Sequence, residues 1–226
     1  MLFDPVYLMY MLPVLLLSFW ARYKVSSSFK KYSKVASKRG ITGREAARLI
    51  LDRNGLSDVT VLQIKGELTD HFDPRDNTIR LSEPVFGSAS IAAIGIAAHE
   101  AGHAVQHKTG YAFIKLRTAI IPVCNIGARY SFLLIMVGLI FSMLQLFWLG
   151  VILFGTVAVF QLVTLPVEFN ASRRAVEILE ATQTLDKSEL TGAKKVLSAA
   201  ALTYVAAMLT SIVQLFYFIS LGGRRR

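Results

Sequence analysis

The run "AAHEAGHAVQH", residues 97–107, sets two histidines and a glutamate among small apolar residues. A helix that had only to pack would carry Leu or Ala there, because a buried imidazole or carboxylate without a partner costs several kcal/mol. On an α-helix His99 and His103 lie one turn apart on the same face, and each can offer a ring nitrogen to a single metal ion. Glu100 turns to the neighbouring face, where it can take a proton from a metal-bound water without entering the coordination shell. This is the H-E-x-x-H arrangement of zinc hydrolases, in which Zn2+ brings the pKa of its water to about 7.

A third protein ligand has to come from elsewhere. His107 is two turns beyond His99, about 12 Å along the axis, and cannot share the ion. The extended motif with a third histidine also fails, since position 106 is Gln and position 109 is Thr. A glutamate on a later helix remains, and Glu168, Glu177, Glu180 and Glu189 are the choices.

The elements that must hold these residues can be read locally. The motif helix is expected to start near Ser88 or Ser90 and to stop where Gly110 can take the left-handed conformation. Upstream, "TGREAARLILDRNGL" reads as a short amphipathic helix with Thr42 and Glu45 as a capping box and Gly55 as its stop. Val59 to Ile64, "LTDHF" and "TIRLS" are strand candidates, the last two joined by the turn-rich Asp73 to Asn77. From Pro166 the chain is expected to begin a new helix, "VEFNASRRAVEILEAT".

The rest of the chain points to a bilayer. Of 226 residues 54% are apolar and the mean hydropathy is +0.49, too high for an ordinary soluble protein. Spans are expected at Pro5 to Ala21, in the charge-free run Tyr130 to Pro166 and at Val196 to Gly223. The middle run is too long for one crossing, and Gly138, Gly150 and Gly155 offer it a turn and close helix contacts. It therefore reads as a hairpin, giving four spans in all. The first span reads as a retained anchor, because Asp4 replaces the basic flank of a secretory signal and no small-residue cleavage site follows. Cys124 is the single cysteine and excludes an internal disulfide.

The expected class is therefore an α+β integral membrane protein, mostly helical, with a small zincin-like unit and a short β-sheet. Its expected parts are an anchor at 1–22, a cytoplasmic zincin-like part at 23–118, a transmembrane hairpin at 119–166, a helix with the third ligand at 167–195 and a last span at 196–226. A net charge of +10 would suggest nucleic acid in a soluble protein. Here Arg22, Lys24, Lys30, Lys31, Lys34, Lys38 and Arg39 follow directly on the first span, so the lipid bilayer and not nucleic acid is the expected partner. Twenty-one Lys and Arg lie in the segments after spans one and three, against three, Arg224 to Arg226, at the C-terminus. The positive-inside rule then puts the motif on the cytoplasmic side, with the terminal arginines as the dissenting feature.

These segments together, "AAHEAGHAVQH" with "LTDHFDPRDNTIRLS" upstream and "LPVEFNASRRAVEIL" downstream, resemble the bacterial membrane-embedded neutral zinc metallopeptidases, the YugP-like family. The chain is also similar, more distantly, to the membrane zinc proteases of the CAAX-prenyl and heat-shock type, whose ligand glutamate stands in E-F-x-A-D. The resemblance implies a metalloendopeptidase of the bacterial plasma membrane, with one Zn2+ per chain held by His99, His103 and Glu168 and a peptide or protein substrate at or near the membrane. Ser172 replaces the aspartate that would orient a ligand histidine. Glu168 also sits where the third span is expected to end.

Further roles are expected at Arg80, on "NTIRLS" as an edge strand open to a substrate peptide, and at His71, Arg173 or Arg174 as oxyanion donors. Two other functions share the motif: a non-catalytic zinc-binding membrane scaffold, and a zinc amidohydrolase acting on a non-peptide amide. A purely structural site is closed by four protein ligands and needs no base, so Glu100 argues for an enzyme. The expected orientation is checked by placing a cysteine at Lys65 in a chain carrying Cys124→Ser. It should escape a membrane-impermeant maleimide in intact cells and react after permeabilisation, and labelling of intact cells would reverse the topology.

Overall fold

A computed structural model describes residues 5–223, so the terminal Arg224 to Arg226 lie outside the described residues, as does Asp4. The elements are α1 (Pro5–Tyr32), α2 (Gly43–Arg53), β1 (Thr60–Ile64), β2 (His71–Asp73), β3 (Thr78–Ser82), α3 (Glu83–Phe86), α4 (Ile91–Lys108), α5 (Ala112–Ile140), α6 (Leu144–Ala181) and α7 (Lys187–Gly223). The molecule is an α+β membrane protein, with α1, α5, α6 and α7 long and apolar enough to cross a bilayer. The chain forms two compact units. One takes in residues up to Ala21, Lys115–Pro166 and Leu202 onward, and the other Arg22–Ile114 and Val167–Ala201.

In the first unit large apolar side chains such as Phe19, Ile126, Phe132, Ile152 and Phe216 are exposed, which is stable only against lipid. The hairpin does not turn at a glycine as expected. It reverses after α5 at Ser142, with φ 54°, and Met143 N–H donates to Gly138 C=O at 2.8 Å, the left-handed ending that glycine usually supplies. Gly138 and Gly150 serve close contacts instead. A Cβ on Gly150 would sit 2.7 Å from Ile135 N, whereas one on Gly155 would meet nothing within 4 Å.

The second unit is organised around α4, thirteen of whose eighteen residues are buried. A helix covered almost all round needs small residues, and that is why Ala and Gly dominate it. Ser90 caps its start by accepting from Ala93 N–H at 3.2 Å. At its end Gly110, φ 63°, carries both bonds of a Schellman stop, Gly110 N–H to His107 C=O and Tyr111 N–H to Gln106 C=O. Helix α2 has the expected Thr42–Glu45 capping box and buries Ala46, Ala47, Ile50 and Leu51 completely in the same core. Lys108 of α4 reaches its far end, donating to Asn54 C=O and Gly55 C=O at 2.8 and 2.6 Å, a cation on the negative end of a helix.

The three strands lie in the order β1-β3-β2, β1 parallel and β2 antiparallel to β3. This corrects the expectation that "NTIRLS" is an edge: β3 is the central strand, and β1 and β2 are the edges. "LTDHF" is also shorter than expected, because Leu68 at φ 57° belongs to the turn. Asp70 is bound to Ser82 N–H and Oγ at 2.8 and 3.0 Å, leaving only His71–Asp73 extended.

A second correction concerns α6. No new helix begins at Pro166; α6 runs through it to Ala181, the chain turns at 182–186 and α7 starts at Lys187. Glu168 is thus mid-helix, and the favour that a helix N-terminus gives an acid does not explain it. The turn is pinned by the segment after α1. Glu189 accepts from Asp186 N–H and Lys38 N–H at 2.8 and 2.7 Å, Arg39 donates to Thr182 C=O at 3.2 Å, and Asp186 accepts from Ser188 N–H and Glu189 N–H. Lys38 Nζ lies 2.5 Å from the Asp186 carboxylate and, with the Ser188 hydrogen bonds, holds that carboxyl well below the usual range.

Where α4 meets α6, a Cβ on Gly102 would lie 2.8 Å from Ala171 C=O, whereas one on Gly95, which faces α7, would make ordinary contact with Ala193 Cβ at 3.4 Å. Gly102→Ala should therefore cost about 1–3 kcal/mol as overpacking, and Gly95→Ala should be neutral or gain up to about 1 kcal/mol from helix propensity, read from denaturant unfolding in detergent. A carboxyl whose folded pKa is depressed contributes stability above its unfolded value, near 4, and loses it as pH falls further. Asp186→Asn should accordingly lower the thermal midpoint at pH 7, with the difference from wild type shrinking as the pH is taken from about 5 to 3.

Candidate metal centre

On α4, His99, Gly102, His103 and Gln106 follow the i, i+3, i+4, i+7 stripe of one helix face, and on α6 Glu168, Ala171, Ser172 and Ala175 do the same. The glycine-to-alanine contact in the middle lets these two stripes approach backbone to backbone. Three donors consequently converge. His99 Nε2 and His103 Nε2 are 3.1 Å apart, and Glu168 Oε2 lies 3.3 Å from the first and 3.5 Å from the second. The rings meet edge to face at an interplanar angle of 82°.

These separations can be compared with what a metal would require. Ligand atoms about 2.0–2.2 Å from a tetrahedral zinc stand about 3.3–3.6 Å from one another, and the observed three span 3.1 to 3.5 Å. The donor set of two imidazoles and one carboxylate, with Glu168 only 4% exposed, fits a single Zn2+ with a coordination position left over. His99, His103 and Glu168 form the one cluster of three or more metal-type donors among the described residues.

Around the donors runs a layer of hydrogen bonds. Ser172 Oγ lies 3.1 Å from His99 Nδ1, so the serine that stands in place of an aspartate still contacts the ring. His103 Nδ1 lies 3.0 Å from Gln106 Oε1. Gln106, completely buried, donates through Nε2 to Val167 C=O at 2.8 Å and to Asn170 Oδ1 at 2.9 Å. Arg174 Nε donates to the same Asn170 oxygen at 2.8 Å. Burial alone would push the His103 imidazole down, but the adjoining Glu168 carboxylate, with Glu100 and Gln106, outweighs it and raises the ring above its ordinary value. The carboxylate beside the ring favours its protonated form.

Glu100 is 8% exposed and hydrogen-bonds to no described residue, although its charge is felt at His103. Of the expected oxyanion and substrate contacts, only Arg174 joins the centre, through Asn170 and Gln106. His71 is exposed and bonded to Thr69 C=O, Arg173 is exposed beside Glu177, and Arg80 is tied to Asp76 and Asp73. None of these three touches the donor cluster. Glu177 and Glu180 are exposed, and Glu189 is spent on capping α7. His107 leans on Phe72 of β2, ring centroids 6.1 Å apart. Sequence reasoning missed Gln106 and Asn170. The available signal was positional, a polar residue at i+7 on the stripe that carries both histidines.

Comparison with known proteins points to zinc as well. A family model described as "Putative neutral zinc metallopeptidase" matches residues 7–222. A protein of Bacillus subtilis (strain 168) named "Putative membrane protease YugP" is 52% identical over 210 residues, covering 92% of this chain and 93% of that protein. No solved structure matches. A family match over nearly the full length, and a relative this similar across nine-tenths of both chains, leave one conclusion: the chain belongs to the neutral zinc metallopeptidase family.

Proposed function

We propose that this protein is an integral membrane zinc endopeptidase in which His99, His103 and Glu168 hold the metal and Glu100 is the general base. It cleaves peptide bonds of membrane or membrane-proximal proteins at the cytoplasmic face of the bacterial plasma membrane. The observation that carries this reading is the pairing of a three-donor cluster with a buried carboxylate, Glu100, that hydrogen-bonds to no described residue. A structural zinc site would be closed by a fourth ligand and would have no use for such a base.

When bound, zinc supplies Lewis acidity, lowering the pKa of a coordinated water to about 7 and polarising a substrate carbonyl. Glu100 accepts a proton from the attacking water as its oxygen bonds to the carbonyl carbon. It then hands that proton to the amine nitrogen as the C–N bond breaks. Because β3 is interior, an extended substrate adds to the outer side of β2, the edge strand whose Phe72 packs against α4.

Glu100→Gln should keep its zinc and its fold and lose about 10²–10⁴-fold in casein hydrolysis, while Glu168→Ala should lose the metal and Glu177→Ala should lose neither. Hydrolysis near wild type in Glu100→Gln would remove the base assignment, and full zinc occupancy in Glu168→Ala would remove the ligand. Chelator-sensitive hydrolysis of casein also separates a peptidase from an enzyme restricted to non-peptide amides.

A further inference from the structure

We propose that Gln106 is a positioning residue that fixes His103 as its Nδ1–H tautomer, leaving the Nε2 lone pair free for the metal, and that Asn170 and Arg174 act through it. The inference rests on the metal-site reading above and adds to it a chain of residues outside the H-E-x-x-H pattern.

The direction of every hydrogen bond in this chain is dictated by its two ends. Val167 C=O can only accept and Arg174 Nε can only donate. Since Gln106 stands 2.8 Å from Val167 C=O, its amide nitrogen must face that carbonyl and its oxygen must face the other way. The same nitrogen donates to Asn170 Oδ1, which Arg174 holds in its accepting orientation. Gln106 Oε1 is thereby left opposite His103 Nδ1 at 3.0 Å. An oxygen there can only accept, so Nδ1 carries the hydrogen, and in the neutral ring the lone pair is left on Nε2, which faces His99 Nε2 and Glu168 Oε2. A flipped amide would set Nε2–H against Nδ1–H and leave Val167 C=O facing another oxygen, and at a fully buried position that is costly.

His99 is held differently. Ser172 Oγ, 3.1 Å from its Nδ1, can donate or accept and so accommodates either tautomer. The two ligand histidines therefore differ: one ring is set by an amide that cannot turn, the other is merely contacted. An aspartate at position 172 would have fixed the second ring as well.

The test uses the full-length protein in detergent with all four histidines ring-labelled with 15N. Wild type should show a His103 Nδ1–H protected from solvent exchange in both the metal-free and the zinc-loaded protein. Gln106→Met should lose that protection and bind zinc about 10–100-fold more weakly in chelator competition, the usual cost of removing a histidine's outer partner. Gln106→Glu still presents an oxygen to Nδ1 and, with its other oxygen protonated, an O–H to Val167 C=O, so at a pH low enough to protonate it the variant should restore the protected Nδ1–H and recover part of the affinity. Arg174→Met, which disturbs only the outer end, should weaken zinc less than Gln106→Met and guards against a variant that fails to fold. A protected Nδ1–H and wild-type zinc affinity in Gln106→Met would overturn the proposal. If wild type took up no zinc, the metal-site reading would fall by itself, and the exchange measurement in the metal-free protein would still decide for or against Gln106.

Discussion

The contact on which the centre depends is the backbone approach of α4 and α6 at Gly102 and Ala171. The distance between two packed helices is set by the side chains at their contact. A histidine pair one turn apart is nearly rigid once its rings are packed, so the second helix must come close for a glutamate to complete the set. A hydrogen in place of a methyl group at position 102 permits this. The glycine of "HEAGH" is therefore as much a part of the geometry as the histidines, although it contacts no ligand.

Close approach has an electrostatic consequence. Two imidazoles and a carboxylate are gathered within 3.1 to 3.5 Å of one another, and the Glu168 carboxylate raises the His103 ring above its ordinary value. The hydrogen bonds behind the donors have a complementary task. Gln106, Asn170, Arg174 and Ser172 satisfy the Nδ1 positions and the buried amide, so that the two Nε2 atoms are the ring nitrogens turned toward Glu168. Burying such polar groups is stable only because each link is made.

What could be read from the sequence was what depends on neighbours in the chain. The motif stripe, the Thr42–Glu45 box, the Ser90 cap and the stop at Gly110 are local, and the structure has them. The apolar runs likewise indicated four long helices. Strand order was not local. "NTIRLS" has the composition of an edge or a centre alike, and only the pairing of β1 and β2 to either side decides. Pro166 misled for a different reason: proline removes a single helix hydrogen bond, and α6 runs through it to Ala181. Gln106 could be read only as a failed match to a longer histidine motif, because its partners lie 61 and 64 residues away.

That failed match has a physical meaning. In the longer motif a third histidine ten residues past the first supplies the last ligand from the same chain segment. Here the ligand-type donor comes from a second helix, and that helix brings further groups with it. Glu168 is followed on α6 by Asn170, Ser172 and Arg174, and these reach back to both histidines of α4, two of them through Gln106. Recruiting the third donor from α6 thus delivers the outer hydrogen bonds at the same time. Position 106, one turn beyond the second histidine, is where an α4 side chain can meet them, and a buried glutamine there has the acceptor and the donors that a histidine's Nδ1 on one side and a carbonyl on the other require.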